Sequence, residues 1–505
     1  MESKIEALAA SFKSEFGVAA TVITSAPGRI NMIGEHIDYN SYTVLPICIS
    51  RCICLAINVE PYDGPAVIIS NADSKNFSSV VFENISDLKI SPTHSWTNYI
   101  IAALIGFCEY KMANRDFSAV GSLYKSFTSN ENMETWNKHI SLVSPNIRIL
   151  VDGDIPKAVG LSSSSALVVS SLLALTIIDN FHVTRRELAE VCARSERHVG
   201  TAGGGMDQAA MCLSIAGCGQ HISFKPIKAV RVNLPQGARV VVANSMVESE
   251  KALSAATHFN RRVFECKISA YILLKALCPD HDVLSEDMDA LDLGSVQARS
   301  GLSLEDLSAA VDNYLHQEDY DKDQILLALG NERLNSLLKG RVGPGVWVSQ
   351  EGFKLWHRAK HVYSEAIRVL KFVETCANAA ISDEDKATLL GKLMNESDHS
   401  CDFLYECGSP ELRTLTSLSR SCGALGSRLT GAGWGGFTVS LVSDEAAANS
   451  LIEKLKENYA PFKNMSDKEL NEQLLLVEPA GGVSAYCLSK YSPMFYDTME
   501  NAFLQ

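Results

Sequence analysis

The sequence lacks a long hydrophobic run, an N-terminal export signal and cysteine pairs at metal-binding spacing. The longest apolar stretch, Ala166 to Ile178, is interrupted by Ser170 and Ser171 and is too short to cross a bilayer. No basic segment followed by an apolar one opens the chain, so no secretory signal is expected. The 14 cysteines form no CxxC pair and show no zinc-type His spacing, so we expect reduced, mostly buried thiols. These absences favour a cytoplasmic protein with no membrane partner.

An excess of positive charge and a Walker-type phosphate loop are missing as well. The formal net charge is -14, which argues against a nucleic-acid partner, because DNA and RNA backbones favour clustered Lys and Arg. ATP is compatible with that charge, since its site needs only a local positive potential and backbone N–H groups. The pattern GxxxxGK[ST] occurs nowhere, so any phosphate loop must be of another type.

The chain is longer than a single hydrophobic core usually supports. Its 505 residues therefore predict two domains, and 46% apolar with 21% charged residues are ordinary for a globular protein. The predicted strands and helices follow in mixed order rather than as regular βαβ units, which indicates α+β domains. We place the boundary near Gly217, giving domains over residues 1–218 and 219–505. The polar, Ser- and Asn-rich stretch 112–138 is expected to be a surface insertion.

Apolar periodicity, capping residues and Gly/Pro turns predict the main elements. Helices are expected over 1–16, 95–111, 166–178, 184–200, 209–215, 258–276, 304–316, 350–377, 383–404 and 444–459. Strands are expected over 47–59, 66–70, 147–151, 220–224, 238–245 and 437–442. Thr184 and Glu187 form a capping-box pattern at the start of one of these helices.

The stretch from Ser25 to Pro46 contains the densest group of polar residues set among apolar ones. Arg29, Asn31, Glu35, His36 and Asp38 alternate there with buried-type aliphatics. Because a buried polar group without a partner is costly, these side chains must be held in fixed directions. They face either a ligand or each other.

A serine run, Gly160-Leu-Ser-Ser-Ser-Ser-Ala166, precedes an apolar helix. Helix N-termini expose unpaired N–H groups and the positive end of the helix dipole, which suits phosphate. An ordinary N-cap would explain one serine, whereas four in a row favour a ligand.

Gly203-Gly-Gly-Met-Asp207-Gln places a carboxylate after a backbone that is free to adopt unusual conformations. Complementing a helix dipole would explain Asp207, but three glycines favour close approach to something else. Glu196, on the preceding helix, is either a metal ligand or a solvated charge.

Gly431-Ala-Gly-Trp-Gly-Gly436 matches GxGxxG formally. A Rossmann site requires a strand before the glycines and a helix after them, and here the strand follows. We therefore reject a dinucleotide fold and expect a glycine-rich crossing close to a nucleotide or to the other domain.

Three separated motifs together resemble the galactokinases of the GHMP small-molecule kinase superfamily, close to the N-acetylgalactosamine kinase type. They span Pro27 to Tyr39, Gly160 to Ala166 and Ser427 to Gly436, in the family's order, and the similarity covers nearly the full chain. The resemblance implies a two-domain GHMP kinase fold with the active site in the cleft between the domains. It also implies transfer of the ATP γ-phosphoryl group to the anomeric hydroxyl of a galactose-type sugar.

Matching motif residues implies roles for individual positions. Asp207 and Arg29 correspond to the family's catalytic pair, and both also contact the sugar. The sugar-binding residues implied in addition are Glu35, His36, Asp38, Gly205 and Phe259. Carboxylates and an imidazole suit such a ligand because they accept from and donate to several hydroxyls.

The resemblance also implies a nucleotide site and a metal site. Gly160, Ser162, Ser163 and Ser164 match the phosphate loop, and Ser164 with Glu196 would bind Mg²⁺. Trp96 and Tyr99 match adenine-pocket aromatics, and Lys251 lies near a nucleotide contact. Ordinary core aromatics and a solvated lysine are the alternatives for those last three.

The sequence leaves open which sugar is the substrate and whether the protein is an enzyme or a sensor. Phe259 stands where galactokinases often have a tyrosine, and Gly203 to Gly205 leave room for a 2-acetamido group. A non-catalytic sugar and ATP sensor is the rival, but the intact serine run and Asp207 favour an enzyme. A GHMP kinase for mevalonate would leave the clustered Glu35, His36 and Asp38 unexplained. We expect a cytoplasmic monomer.

Overall fold

A computed structural model describes residues 1–60, 62–84, 87–93, 95–115, 146–156, 160–248, 258–280, 287–339, 344–348, 351–487 and 494–495. The elements up to the predicted boundary, and the hairpin after it, are α1 (Glu2–Phe16), β1 (Val22–Asn31), β2 (Pro46–Val59), β3 (Val67–Asn71), β4 (Val80–Phe82), α2 (Thr97–Arg115), β5 (Ile147–Gly153), α3 (Ser163–Ile178), α4 (Arg185–Glu196), α5 (Met206–Leu213), β6 (Gly219–Phe224) and β7 (Ile227–Val232).

The remaining elements are β8 (Arg239–Asn244), α6 (Phe259–Leu277), α7 (Leu293–Ser300), α8 (Leu304–Tyr314), α9 (Lys322–Leu329), α10 (Asn331–Lys339), α11 (Pro344–Trp347), α12 (Leu355–Ala377), α13 (Asp383–Phe403), α14 (Pro410–Ser421), β9 (Gly426–Leu429), β10 (Phe437–Val442), α15 (Glu445–Asn458), α16 (Asp467–Gln473), β11 (Leu474–Val477), β12 (Ser484–Cys487) and β13 (Met494–Phe495). The predicted α+β class is confirmed.

The larger sheet has the strand order β13-β12-β1-β2-β5-β3-β4, antiparallel except for the parallel pair β3 and β5. Strand β2 is buried on both faces because its side chains alternate between two layers. Cys52 and Cys54 pack under α1, whereas Leu55 and Ile57 face the main core. Helix α3 packs against β1 and β2 on the main-core face, and its central part is buried on all sides.

The smaller sheet has the order β11-β8-β10-β9, with every neighbouring pair antiparallel. Strand β10, from Phe437 to Val442, is buried along its whole length, since α13 to α15 pack against this sheet. Strand β9 pairs with β10 and carries Arg428 into the interior, where the side chain has no exposed surface. The C-terminal glycine run connects β9 to β10 of this sheet, and it contacts the motif that begins in β1 of the larger sheet.

Most predicted elements agree with the structure to within a few residues. The Thr184 capping box is confirmed, with Thr184 accepting from the backbone N–H of Glu187 and Glu187 accepting from that of Thr184. The predicted insertion begins too early, because α2 continues to Arg115; residues 116–145 lie outside the described part of the chain. The described cysteines are all free, and most are buried, as expected.

The division into residues 1–218 and 219–505 stays a prediction. Strand β12 returns from the second segment to the first sheet, where Ser484 pairs with Ser25 and Cys487 with Val22. The sequence did not indicate this return, because four residues of strand carry little signal. Among the described helices, none has the length and apolar character needed to cross a membrane.

Candidate active site

The first and third motifs line a cleft together with the start of α5 and parts of α4 and α6, and the serine run binds two of the lining residues, Arg29 and Asp207. All seven residues predicted to bind the sugar line it: Arg29, Glu35, His36, Asp38, Gly205, Asp207 and Phe259. Strand β1 and the loop after it supply the first four, the start of α5 the next two, and α6 the last. Segments far apart in sequence therefore form one wall.

Arg29 and Asp207 form a buried ion pair at the base of this cleft. Arg29 Nε and Nη2 each lie 2.7 Å from Asp207 Oδ1, and Nη1 donates to the carbonyl oxygen of Gly160 at 2.7 Å. Charge-assisted hydrogen bonds of this kind give direction as well as attraction. The pair therefore links the first motif, the serine run and the start of α5.

The second oxygen of Asp207 faces the serine run. Ser162 donates to Asp207 Oδ2 at 2.7 Å, and Ser165 lies 3.4 Å from the same oxygen. Ser162 has φ +61°, in the left-handed region that non-glycine residues rarely occupy. Such strain at a candidate phosphate loop is characteristic of a functional backbone turn.

Glu196 lies on α4 next to the start of α3. Ser165 Oγ donates to Glu196 Oε2 at 2.7 Å, Gln208 Nε2 donates to the same oxygen, and Ser164 Oγ lies 3.5 Å from Oε1. Among the described residues, no group of three or more His, Cys, Asp or Glu side chains is arranged as a complete metal site. The oxygen donors of Ser164 and Glu196 suit a hard ion such as Mg²⁺ that takes its other ligands from phosphate and water.

Glu35 lies at the edge of the cleft with its carboxylate engaged by protein groups. It forms an ion pair with Arg428, accepts from Asn31 Nδ2 at 2.9 Å and accepts from the backbone N–H of Gly431 at 3.0 Å. Burial raises the pKa of Glu35, although Arg428 and Gly431 oppose that effect. Oε1 can still accept one further hydrogen bond, whereas Oε2 already accepts from Arg428 and Asn31. Glu35 therefore combines a structural role with its place in the cleft wall.

His36 is held through both ring nitrogens. Nδ1 lies 2.9 Å from the hydroxyl of Tyr39, and Nε2 lies 2.9 Å from the carbonyl oxygen of Ala432. Tyr405 and Phe259 pack against the ring, with centroid distances of 4.7 and 5.5 Å. The imidazole thus has one defined orientation before any ligand arrives.

Asp38 and a glycine-rich turn form a further part of the cleft lining. Asp38 Oδ2 accepts from the backbone N–H of Met206 at 3.3 Å. A Cβ on Gly204 would lie 2.3 Å from the backbone nitrogen of Tyr39, so this approach requires glycine. Gly205, at φ +108°, then starts α5.

The C-terminal glycine run crosses directly over the serine run. A Cβ on Gly431 would lie 2.7 Å from the carbonyl oxygen of Gly160, and Gly431 has φ +84°. Thr430 binds the backbone of β1, accepting from the N–H of Asn31 at 2.8 Å and donating to its carbonyl at 3.2 Å. The glycine run was expected to cross close to a nucleotide or to the other domain, and the structure places it against the serine run; its role in nucleotide binding stays a prediction.

The predicted nucleotide residues are less closely connected. Tyr99 is buried beside Ser164 and Glu196, and burial, followed by the charge of Glu196, raises its pKa. Trp96 packs against Phe77 at a centroid distance of 5.6 Å. Ser163 is the first residue of α3, and Lys251 lies outside the described residues. The adenine roles of Trp96, Tyr99 and Lys251 stay predictions.

Three family models match the chain: a galactokinase galactose-binding signature over residues 10–59, the GHMP kinase N-terminal domain over 129–214 and the GHMP kinase C-terminal domain over 380–461. A galactokinase of Dictyostelium discoideum is 34% identical over 86% of this chain and 83% of its own. The chain belongs to the galactokinase family.

Further relatives agree with this assignment. A galactokinase of Saccharomyces cerevisiae is 31% identical, with 96% of this galactokinase-family chain and 95% of the yeast protein aligned. A crystal structure of Lactococcus lactis galactokinase complexed with galactose superposes with a TM-score of 0.66 at 21% identity, covering 95% of this chain and 99% of that one. That likeness establishes the shared GHMP kinase fold.

The motifs did not single out several residues that line the galactokinase-family cleft, such as Gln208 and Tyr39, or that hold its lining residues in place. Ser165 and Gln208 adjoin predicted residues and bind Glu196. Tyr39 and Arg428 lie inside quoted motifs, and their patterns gave no specific role. Tyr405 follows α13 without any local signal, and only the fold brings it against His36.

Proposed function

We propose that this protein transfers the γ-phosphoryl group of ATP to the anomeric hydroxyl of galactose or N-acetylgalactosamine. The observation that carries the proposal is the buried Arg29–Asp207 pair, which lies between the predicted sugar-binding residues and the serine run. Family membership supports the same chemistry. The sugar would bind against Glu35, His36 and Asp38, with its 1-hydroxyl toward Asp207.

The proposed mechanism depends on position and charge. Phosphoryl transfer passes through a loose transition state, so a strong base is not required. Asp207 would accept a hydrogen bond from the 1-hydroxyl and orient its oxygen toward the γ-phosphorus. As the bond from that oxygen to phosphorus forms, the bond to the ADP oxygen would break and the hydroxyl proton would pass to Asp207. Arg29 would stabilise charge on the phosphoryl oxygens while keeping Asp207 in place. Holding both reactants in this way accounts for much of the rate enhancement in such transfers.

The ATP phosphates would lie at the N-terminus of α3, where Gly160 and Ser162 to Ser164 offer backbone N–H groups and hydroxyls. Ser164 and Glu196 would hold Mg²⁺, which neutralises charge on the phosphate oxygens when bound. We place the reaction in the cytoplasm, in a monomer with no nucleic-acid or membrane partner.

Both sugars are included because part of the cleft wall is built from small residues. Ala193, Gly203 and Gly205 line the same cleft as Phe259. A 2-acetamido group needs more room than a hydroxyl, and these positions offer backbone and methyl surface rather than long side chains. Phe259 would give that group an apolar contact.

The test is an ADP-release assay with Mg-ATP over galactose, N-acetylgalactosamine, glucose and mevalonate. We expect turnover with at least one of the first two sugars and a product whose phosphorus NMR signal is coupled to the anomeric proton. Activity with mevalonate alone would overturn the assignment. Binding of sugar and ATP without ADP release would instead identify the rival function, a non-catalytic sensor.

A further inference from the structure

A chain of hydrogen bonds leads from the cleft into the second half of the protein, and its direction follows from one carbonyl. The carbonyl oxygen of Ala432 can only accept, so His36 Nε2 must carry a hydrogen. In a neutral imidazole the other nitrogen is then an acceptor. His36 Nδ1 therefore accepts from the Tyr39 hydroxyl at 2.9 Å.

The same reasoning continues one step at a time. The Tyr39 hydroxyl has donated its hydrogen, so it accepts from the Tyr405 hydroxyl at 2.6 Å. Tyr405 in turn accepts from the Cys266 thiol at 3.3 Å. Burial raises the pKa of both tyrosines well above 10 and that of Cys266 to about 11, so all three keep their hydrogens near neutral pH. Every group in the chain donates once.

Two buried arginines bind the backbone of the segment that carries Tyr405. Arg262 Nε donates to the carbonyl oxygen of Tyr405 at 2.8 Å, and Arg358 Nη1 donates to that of Leu404 at 2.5 Å. Glu406, the next residue, has φ +53° and forms an ion pair with Arg358 at 2.7 Å. Because Glu406 has an uncommon backbone conformation and is paired with the buried Arg358, the surrounding structure fixes the backbone at this position.

The same segment also holds the glycine run. The indole Nε1 of Trp434 donates to the carbonyl oxygen of Glu406 at 3.0 Å, and the backbone N–H of Trp434 donates to the carbonyl oxygen of Cys407 at 2.7 Å. Trp434 packs against His36 at a centroid distance of 5.6 Å. The segment therefore reaches His36 by two routes, through Tyr405 and through Trp434.

We propose that Tyr405 is a positioning residue for the sugar: it lies outside the cleft lining and acts through the hydroxyl of Tyr39, which lines the cleft, to orient the His36 ring. Neither the motifs nor the family matches assign Tyr405 this role. The inference rests on the proposed function, since it takes the cleft as the sugar site. It requires that the hydroxyl of Tyr405 acts through Tyr39, because the hydrogen-bond chain is unbranched at that point.

The test compares Tyr405→Phe, Tyr39→Phe and the double variant. One neutral hydrogen bond is lost at His36, so we expect KM for the sugar to rise about threefold to tenfold in Tyr39→Phe. Tyr405→Phe should raise it in the same direction by a smaller factor. The double variant should match Tyr39→Phe, and KM for ATP should stay within about twofold in all three.

The matched control is Tyr459→Phe. The hydroxyl of Tyr459 is also buried, but it donates to the carbonyl oxygen of Ser245 at 2.8 Å and lies away from the cleft. This change should leave both KM values unchanged. Cys266→Ser keeps a donor for Tyr405 and should behave like the wild type. Equal rises in both KM values, multiplicative effects of the two tyrosine changes, or an unchanged sugar KM would each overturn the proposal.

Calorimetric sugar binding separates this inference from the proposed function. If the wild type binds sugar but releases no ADP, the kinase proposal fails, whereas the ordering of sugar affinities among the variants still tests the positioning role. If the wild type turns over and Tyr405→Phe binds and turns over sugar normally, the positioning role fails alone.

Discussion

Arg428 and Glu35 form an ion pair in which the two side chains have 0% and 1% of their surface exposed. Glu35 belongs to the loop after β1, which lines the cleft, and Arg428 belongs to β9. The pair therefore joins the cleft lining to the smaller sheet. A second carboxylate, Glu365 on α12, lies 3.7 Å from Arg428. Arg428 is therefore the cation for Glu35, and Glu365 is held more closely by Arg368, at 2.7 Å.

Arg428→Met should destabilise the protein strongly. It leaves Glu35 buried without its cation, whereas Glu365 keeps Arg368 at 2.7 Å, and breaking a buried pair from one side costs about 3–5 kcal/mol. Equilibrium unfolding in urea measures the loss. Arg413→Met is the control, because Arg413 pairs with Asp402 while 56% exposed, and such surface pairs contribute about 0–1 kcal/mol. Similar losses in the two variants would contradict this account.

His361 should make the fold less stable in acid. Burial lowers its pKa to about 3, against about 6.5 in an unfolded chain. Between these values the unfolded state binds a proton that the folded state excludes, so stability falls as pH falls. The contribution is fully present above about pH 6.5 and decreases by up to about 1.4 kcal/mol per pH unit below it. The neutral ring donates to the carbonyl of Glu35 and accepts from Ser400.

His361→Gln tests this linkage, measured as the free energy of unfolding from pH 7 to about pH 4. The variant should show a shallower decline with falling pH than the wild type. Val369→Ala, a buried truncation on the same helix, supplies the control for general destabilisation. It should shift the whole curve in parallel; an unchanged slope in His361→Gln would refute the assignment.

Gly431→Ala should damage nucleotide use, because the new methyl would lie 2.7 Å from the carbonyl oxygen of Gly160. Since a misplacement of about 1 Å in an active site can cost about a hundredfold in rate, we expect kcat/KM for ATP to fall by about that factor. Gly301→Ala is matched in backbone conformation, at φ +69°, with nothing within 4 Å of the new atom. It should lose about 1–2 kcal/mol of stability and no activity. If the two variants were equally active, the close approach of residue 431 to Gly160 would have no importance for nucleotide use.

Asp207→Asn should lower kcat about a hundredfold or more and leave both KM values nearly unchanged. The amide keeps the shape of the side chain but lacks the charge that Arg29 binds. Steady-state kinetics measure the change. Asp444→Asn, at the exposed cap of α15, should be silent because asparagine also caps helices. A fully active Asp207→Asn enzyme would remove Asp207 from the mechanism.

Glu196→Gln should raise the Mg²⁺ concentration needed for half-maximal rate by at least about tenfold. The change removes a carboxylate next to Ser164 while keeping its size. A Mg²⁺ titration at saturating ATP and sugar measures it, with Glu190→Gln on the same helix as control. If both variants show the wild-type Mg²⁺ requirement, Glu196 is not a ligand.

Much of the fold was predictable because local signals were strong. The β10 prediction, Phe437 to Val442, matches the structure residue for residue, and the capping box at Thr184 marks the start of α4. Strand β12 was missed because it is short and far from its partner β1 in sequence. The helix continuing to Arg115 was missed because a polar composition concealed it.

The candidate site was predictable as a list of residues, since polar groups among aliphatics and glycines beside a carboxylate are visible in one dimension. Arg29, Asp207 and their neighbours do line one cleft. The motifs did not reveal that Glu35 is neutralised by Arg428 or that His36 is held by Tyr39 and Tyr405.

The sequence by itself determined the residue types of the cleft, the order of its motifs and the absence of a Walker or Rossmann pattern. Only the tertiary structure decided which atoms face each other. The contacts of Glu35 with Gly431 and of His36 with Ala432 each span 396 positions. Such pairs have no local periodicity or spacing; they form because both sheets must bury their apolar faces, and packing then brings these polar groups together.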